Sequence, residues 1–394
     1  MRTVDAPLYL DHASTAPPLP EALAALEQAA RDAFANPSSP HALGAEASRV
    51  LERARRQLRA AFGAEGYRVV LTGTGTESDH LGIQGLARRQ RVQAARAARD
   101  GGPPRVLIGA NEHPAARDAA RALEAEGFAV EEVPVDRGGV VRPEALAAHL
   151  AADVALVAVM WGNNEIGCLN PVADLVALTR SRAPHAAFHC DAVQAAGKRP
   201  ETFDELGADS FAVAAHKIGG VRGCAALLLR EGGPRPVPAF VGGGHEDGLR
   251  SGTENVMGAA AFAAAARVRR ERIDLDPRAY LDRRARLLEA LRRVTAELVV
   301  LGPADEAGVQ GSILSVAFPG QRAEPLLHRL EAAGVYVGSG SACSHGGHTE
   351  SPVLAAMGFP AELRNSVLRF SLEGSETGAD LARVASALGA ALAG

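Results

Sequence analysis

The sequence predicts an α/β protein: a mostly parallel central sheet flanked by helices, with a smaller α+β domain beside it. Three observations carry that prediction. Between residues 68 and 229, short apolar strand patterns alternate with amphipathic helix patterns, as strands joined by helical crossovers do. Asp153-Val-Ala-Leu-Val-Ala-Val-Met160 is a continuous apolar run, which suits a strand covered on both faces. Residues able to do chemistry (Thr76, His113, Asn164, Asp191 and Lys217) fall just past strand patterns, where ligands of open parallel sheets sit.

Tyr9-Leu-Asp-His-Ala-Ser-Thr-Ala-Pro17 reads as a short strand entering a Pro-rich loop. Helical spacing follows over 19–34, a loop at Asn36-Pro-Ser-Ser-Pro40, and an Arg- and Ala-rich helix over 43–62 that ends near Gly63. Arg68-Val-Val-Leu-Thr72 is a strand that meets Gly73-Thr-Gly-Thr-Glu-Ser78, the opening of a helix over about 76–98. Such a turn offers backbone N–H groups at the positive end of a helix, which suits a phosphate, although the same turn also serves as a plain helix cap. Strand 105–109, helix 114–126, strand 129–133, helix 143–150, the 153–160 strand, helix 171–182 and strands 186–190, 210–215 and 224–229 complete the alternation. A long helical region over 255–298, broken near Asp276-Pro277, leads to strands near 297–301, 312–318 and 335–338 and helices over 323–333 and 376–393.

With 394 residues, 47% of them hydrophobic, the chain can bury one large core or two moderate ones. A net charge of −4 argues against general nucleic-acid binding. No run of 18 apolar residues occurs, so no membrane span is expected, and the N-terminus lacks an apolar signal core. Cys168, Cys190, Cys224 and Cys343 are far apart and form no Cys-x-x-Cys, so neither a disulfide framework nor a thiolate metal site is indicated. A reduced, cytoplasmic setting fits these residues.

Asp209-Ser-Phe-Ala-Val-Ala-Ala-His-Lys217 delivers a His-Lys pair to a strand end. Lysine occurs only at 198 and 217, so 42 − 2 leaves 40 arginines among the cationic residues. Arginine does not give up its proton and cannot act as an amine nucleophile; lysine can form a Schiff base with a carbonyl. We read Lys217 as such a lysine rather than as a solvated surface residue, and Lys198, in Gly-Lys-Arg-Pro, as a loop lysine. Asp191 precedes Lys217 by 26 residues (217 − 191); it either caps a helix or holds the nitrogen of a pyridine ring protonated. His113, in Asn-Glu-His-Pro, is either a packed loop residue or a ring that stacks on a flat ligand and moves protons. Cys343 lies in Gly338-Ser-Gly-Ser-Ala-Cys-Ser-His-Gly-Gly-His348, a small-residue loop suited to a nucleophile that travels. A metal site of Cys343, His345 and His348 lacks a fourth ligand at ligand spacing, so no metal is expected.

Together these residues resemble the cysteine desulfurases of the NifS/IscS type, in the class V aminotransferase group of fold-type I pyridoxal phosphate (PLP) enzymes. The likeness is collinear over nearly the whole chain. It rests on Tyr9-Leu-Asp11, Asn36-Pro37, Thr76-Glu-Ser-Asp79, Glu112-His113, Asn163-Asn-Glu-Ile-Gly167, Asp191-Ala-Val-Gln194, His216-Lys217, Gly242-Gly-Gly-His-Glu246, Arg250-Ser-Gly-Thr253, Ser339-Gly-Ser-Ala-Cys343 and Arg369-Phe-Ser-Leu372. The resemblance implies a large PLP-binding domain over 18–263 and a small domain of 1–17 and 264–394 carrying the cysteine loop. It implies Lys217 as the cofactor lysine, Asp191 at the ring nitrogen, Gln194 at the ring oxygen and His113 stacked on the ring. Gly75, Thr76 and His216 would hold the phosphate, with Thr253 reaching in from the partner subunit of a homodimer. Asn36, Asn164 and Arg369 would hold the substrate carboxylate, and Cys343 would take sulfur from L-cysteine, leave L-alanine, and pass the persulfide to an acceptor protein for iron–sulfur cluster or other sulfur biosynthesis. Ala214 stands where a phosphate-binding serine is common in the family, and Gly346-Gly-His348 is an unusual sequel to the cysteine. Rival readings are a PLP-dependent C–S lyase, a selenocysteine lyase or an aminotransferase with a non-catalytic Cys343, and an inactive scaffold of the same fold.

Overall fold

The computed structural model describes residues 6–98, 102–339 and 351–393. In chain order the elements are β1 (Leu8–Leu10), α1 (Pro20–Asp32), α2 (Ala42–Phe62), β2 (Tyr67–Thr72), α3 (Gly75–Ala97), β3 (Arg105–Gly109), α4 (Pro114–Arg121), β4 (Ala129–Val133) and α5 (Pro143–His149). There follow β5 (Val154–Ala158), α6 (Val172–Arg182), β6 (Ala187–Asp191), α7 (Phe203–Leu206), β7 (Ser210–Ala214), β8 (Ala225–Arg230), α8 (Val256–Leu275) and α9 (Ala279–Val294). The chain closes with β9 (Val299–Leu301), β10 (Ile313–Ala317), α10 (Ala323–Ala332), β11 (Val335–Ser339), α11 (Pro352–Ala356), α12 (Ala361–Arg364), β12 (Val367–Ser371) and α13 (Gly378–Ala393).

Seven strands form the central sheet in the order β2-β8-β7-β6-β5-β3-β4. Only β8 runs against its neighbours. The link from β7 to β8, residues 215–224, is shorter than the crossover of about a dozen or more residues that a parallel return needs. The expected parallel α/β sheet is therefore present, with one antiparallel strand near its edge. Every residue of β5, β6 and β7 is buried, as strands with helices on both faces must be. On one face α1 and α2 pack on α8, and their alanines and leucines meet Phe62, Phe203, Phe211 and Phe262. On the other, α3 and α4 cover Val106, Ile108 and Leu156.

The smaller sheet has the order β1-β11-β12-β10-β9, with α9, α10 and α13 against it. Strand β1 pairs in parallel with β11, so the start of the chain is stitched to its C-terminal third. That pairing matters for the site, because it carries Asp11 to Thr15 over the ends of the central strands. The helix expected over 114–126 is α-helical only to Arg121 and tightens into a 3-10 turn over Ala122–Glu126, which Gly127 ends at φ 83°. Helix α7 was not expected. It is one turn long, too short for periodicity, and is held by the reciprocal cap of Thr202 and Glu205.

Candidate active site

A cavity of about 260 Å³ opens at the carboxyl ends of the central strands. Its floor comes from the start of α3 (Thr74, Gly75, Thr76), where the Thr74 hydroxyl caps the helix by accepting from the Glu77 N–H at 3.0 Å. A Cβ at Gly75 would be crowded, 3.1 Å from Val193 Cγ2 and 3.5 Å from Ala214 Cβ. The same absence of a side chain lets a ligand approach the first helical N–H groups.

Asp191 ends β6 and faces the cavity, and its Oδ1 accepts from the Val193 N–H at 2.8 Å. Burial, then the neighbouring Asp79 carboxylate, pushes Asp191 above the usual carboxylate range. His113 caps α4, its Nδ1 accepting from the Ala115 N–H at 3.1 Å, which leaves Nε2 to carry the ring proton of the neutral form. Burial pushes His113 down. His216 follows β7 and reaches Thr15 Oγ1 at 3.1 Å; burial, then Lys217, lowers it to about 4. Lys217 sits beside it, its Nζ donating to the carbonyls of Ala13 and Ser14, both at 2.7 Å. Gln194, also on the wall, donates from Nε2 to the same Ala13 carbonyl at 2.8 Å.

Of the residues expected at the site, Gly75, Thr76, His113, Asn164, Asp191, Gln194, His216 and Lys217 line this one cavity. Arg369 lies next to it at 1% exposure in the middle of β12. Its guanidinium donates to the Asn164 carbonyl at 2.9 Å and to Asp11 Oδ1 at 2.7 Å, while its Nε, also buried, has no partner among the described residues. Asn36 is exposed and turned into its own loop, where Oδ1 accepts from the Ser38 N–H at 2.9 Å. Thr253 is exposed and does not line the cavity of its own chain. Cys343, His345 and His348 lie outside the described residues. The flanks of that segment border the site: Gly338 packs on Asp11 and Arg369, and Ser351 donates to Glu165, next to Asn164, at 2.5 Å.

Lys198 does lie in a turn, as expected, but that turn is buried: the side chain is 6% exposed, four residues after Gln194, with its Nζ donating to Gln194 Oε1 at 3.4 Å. Burial, then the Arg269 and Lys217 charges, lowers it to about 7. Sequence reasoning also passed over Asp79 and Glu112, both buried and both driven well above the usual range by burial. Asp79 accepts from or donates to His189 Nε2 at 3.2 Å, and His189 Nδ1 meets Ser210 Oγ at 2.8 Å. Room for that histidine exists only because residue 82 is glycine, whose Cβ would fall 2.3 Å from His189 Nδ1.

The sequence pattern of the class-V aminotransferases matches residues 8–384. The chain belongs to the class-V aminotransferase family. Its relatives place it among the cysteine desulfurases of that family. A cysteine desulfurase of Frankia sp. (strain EuIK1) is 37% identical over 93% of this chain and 86% of its own length. An IscS-like cysteine desulfurase of Mycobacterium tuberculosis is 35% identical over 95% of this chain and 93% of its own. In solved form, a NifS-like protein superposes with a TM-score of 0.86 at 28% identity, covering 98% of this chain and 99% of that one. The resemblance read from the motifs and the α/β fold that it implied both hold. No helix among the described residues is long and apolar enough to cross a membrane.

Proposed function

We propose that this cysteine desulfurase family member binds PLP in the cavity above the central sheet, removes the sulfur of L-cysteine to leave L-alanine, and carries that sulfur as a persulfide on Cys343. The observation that carries the reading is the gathering of a lysine, a buried aspartate, a histidine, a glutamine and a helix N-terminus in one cavity of about 260 Å³. That set fits the cofactor group by group. Lys217 offers the amine for the aldehyde; Asp191 offers an anion for the ring nitrogen; Gln194 offers a donor for the ring oxygen. Gly75, Thr76 and His216 offer N–H and hydroxyl donors for the phosphate, Thr253 of a second subunit adds another, and Ala214 withholds the one a serine would give.

When bound, PLP supplies an electron sink that makes the substrate carbon next to its amine acidic. The chain does the rest. Lys217 moves the proton at that carbon, because its amine alternates between acid and base once freed from the Ala13 and Ser14 carbonyls. Arg369, whose Nε has no partner among the described residues, grips the substrate carboxylate together with Asn36 and Asn164, and a guanidinium suits that anion by its fork of donors. His113 covers the ring and takes or gives a proton at Nε2. Cys343, as thiolate, would attack the substrate sulfur; the new S–S bond forms as the substrate's carbon–sulfur bond breaks, the electron pair of that bond staying with the carbon that is protonated to give alanine, and the outer sulfur passes to an acceptor protein in the cytoplasm. Residues 18–263 then serve as the cofactor domain, and 1–17 with 264–394 as the domain that brings Arg369 and Cys343 to it. Separate apolar clusters under the two sheets support that division.

Lys217→Arg tests the reading. It keeps the charge and removes the amine chemistry, so the yellow visible absorbance of the purified protein should vanish on dialysis, and cysteine-dependent alanine and sulfide with it. A band that persists in the mutant would move the cofactor to Lys198 and undo the site.

A further inference from the structure

The chain's two lysines meet through the cavity wall. Lys198 Nζ donates to Gln194 Oε1 at 3.4 Å, Gln194 Nε2 donates to the Ala13 carbonyl at 2.8 Å, and Lys217 Nζ donates to that same carbonyl at 2.7 Å. A glutamine amide is nearly symmetrical in shape, so packing alone hardly chooses which end faces a ligand. An ammonium does choose, because it donates and never accepts. With Oε1 held from behind by Lys198 and one N–H spent on Ala13, the second N–H of Gln194 is left for the cavity.

We propose that Lys198 is a positioning residue: by holding Gln194 Oε1 it turns the amide N–H toward the cofactor ring oxygen and strengthens that donor. The inference rests on the PLP reading of the cavity. It also accounts for an ammonium at 6% exposure, since a buried cation is costly without a task or a partner. The charges that face Lys198 come from several elements. Arg269 of α8, Lys217 and Arg369 of β12 oppose its protonation, and Glu373 favours it. His12 and His216 in turn feel its charge. Lowered to about 7, Lys198 loses its proton as pH rises through neutrality, and its grip on the amide oxygen weakens with that loss.

The test uses the cofactor-loaded protein with Lys198→Met, Lys198→Arg, Gln194→Ala and the Gln194→Ala/Lys198→Met double variant. The readouts are the pH dependence of the visible absorbance and the retention of PLP in equilibrium dialysis. Lys198→Met should weaken retention about tenfold, the scale of one hydrogen bond, and should move the pH midpoint of the visible band. Lys198→Arg, a cation that donates but does not titrate here, should restore retention and flatten the pH response at its alkaline side. In the Gln194→Ala background, Lys198→Met should add nothing, because the partner through which it acts is gone. Removing a buried charge in favour of a methionine of similar length should not lower the melting temperature. Lys198→Leu is measured beside it, so one side chain's packing does not decide the outcome. Equal effects of Lys198→Met with and without Gln194, or no effect on either readout, overturn the proposal. A wild-type protein that takes up no PLP overturns the cofactor reading itself, and this result differs from both of those.

Discussion

Replacing Asp191 by asparagine removes a charge and almost nothing else. Asp191 Oδ1 accepts from the Val193 N–H at 2.8 Å, and an asparagine carbonyl can accept the same bond, so the turn after β6 survives. On the proposed function, the lost charge is the anion that would face the cofactor's ring nitrogen. A hydrogen bond to a charged group contributes about 1.5–3 kcal/mol, which corresponds to roughly a ten- to hundredfold loss of PLP affinity. Without PLP the sign reverses. Burial and Asp79 raise the Asp191 pKa in the folded chain, so its ionised form opposes folding at neutral pH. That penalty is full above the raised folded pKa of about 7, shrinks as pH falls from there, and is gone below the ordinary carboxylate value of about 3.9. Cofactor-free Asp191→Asn should therefore melt higher than cofactor-free wild type at neutral pH, and the gap should close toward pH of about 4. Equilibrium dialysis with PLP and thermal melts of the stripped proteins measure the two halves. A variant that holds PLP as tightly as wild type would show that Asp191 does not meet the ring nitrogen. A stripped variant less stable at neutral pH would show that the buried carboxylate is not strained.

Three further outcomes are expected. Cys343→Ser should load PLP and turn yellow yet release almost no sulfur, since a hydroxyl is a poor nucleophile and holds no persulfide; mass spectrometry of briefly treated wild type should find one reducible extra sulfur on the Cys343 peptide, and a serine variant as fast as wild type would point instead to direct expulsion of sulfide. Thr253→Ala should weaken PLP retention by about 1.5–3 kcal/mol, as for a hydrogen bond to phosphate, and light scattering should report a dimer; a fully active monomer would remove Thr253 from the site. Glu373→Ala leaves the guanidinium of Arg269, 2% exposed, without its paired carboxylate at 2.8 Å, and should cost about 3–5 kcal/mol in denaturant unfolding followed by the lone Trp161, whereas Arg269→Met/Glu373→Leu should recover most of it. Arg269 holds the Glu373 pKa below its usual value, so wild-type stability from this pair should be lost as pH falls through that lowered pKa, and a double variant as unstable as the single one would refute the account.

The strands of the central sheet were legible because their signals are local. Apolar runs such as 153–160 end at glycine, proline or polar turns, and several of the helices between them open on a capping side chain (Thr74, His113, Thr202), so boundaries mostly fall within one or two residues. Strand β12 was seen only as a motif. Arg369 stands in its centre, and a buried arginine in a strand makes sense only once Asp11 and Asn164, 358 and 205 residues away, are beside it. The same reason hid Lys198. Gly-Lys-Arg-Pro has the composition of an exposed loop, and nothing in it announces that α8 and Gln194 will enclose the ammonium. The scarcity of lysine was the available signal, and it pointed to both lysines rather than to one. Asp79 stood only in a family motif, with no role given to it; its partner His189 arrives 110 residues later and fits because Gly82 has no side chain.

The placement of these buried groups explains why one end of the cavity differs from the other. Asp191, Asp79 and Glu112 come from the ends of β6, β2–α3 and β3, and each raises the pKa of a neighbour: Asp79 acts on Asp191, and Asp191 and Asp79 act on Glu112. Asp191 and Asp79 line the cavity and Glu112 is buried nearby; three interacting carboxyls cannot all ionise in so dry a place, so that wall draws in a cation or a proton. The basic groups of the site are Lys217, His216, Lys198 and Arg369; burial, then Lys217, lowers the pKa of His216, and burial, then Arg269 and Lys217, lowers that of Lys198. That side draws in anions. A flat ligand with a protonated ring nitrogen at one end and a phosphate, a ring oxygen and a substrate carboxylate elsewhere relieves both walls at once. The same ligand turned end for end would set its anions against the carboxyls. On the proposed function the two sets of charges favour one orientation of the ring, and neutralising the acidic wall by Asp191→Asn should weaken that preference together with the affinity.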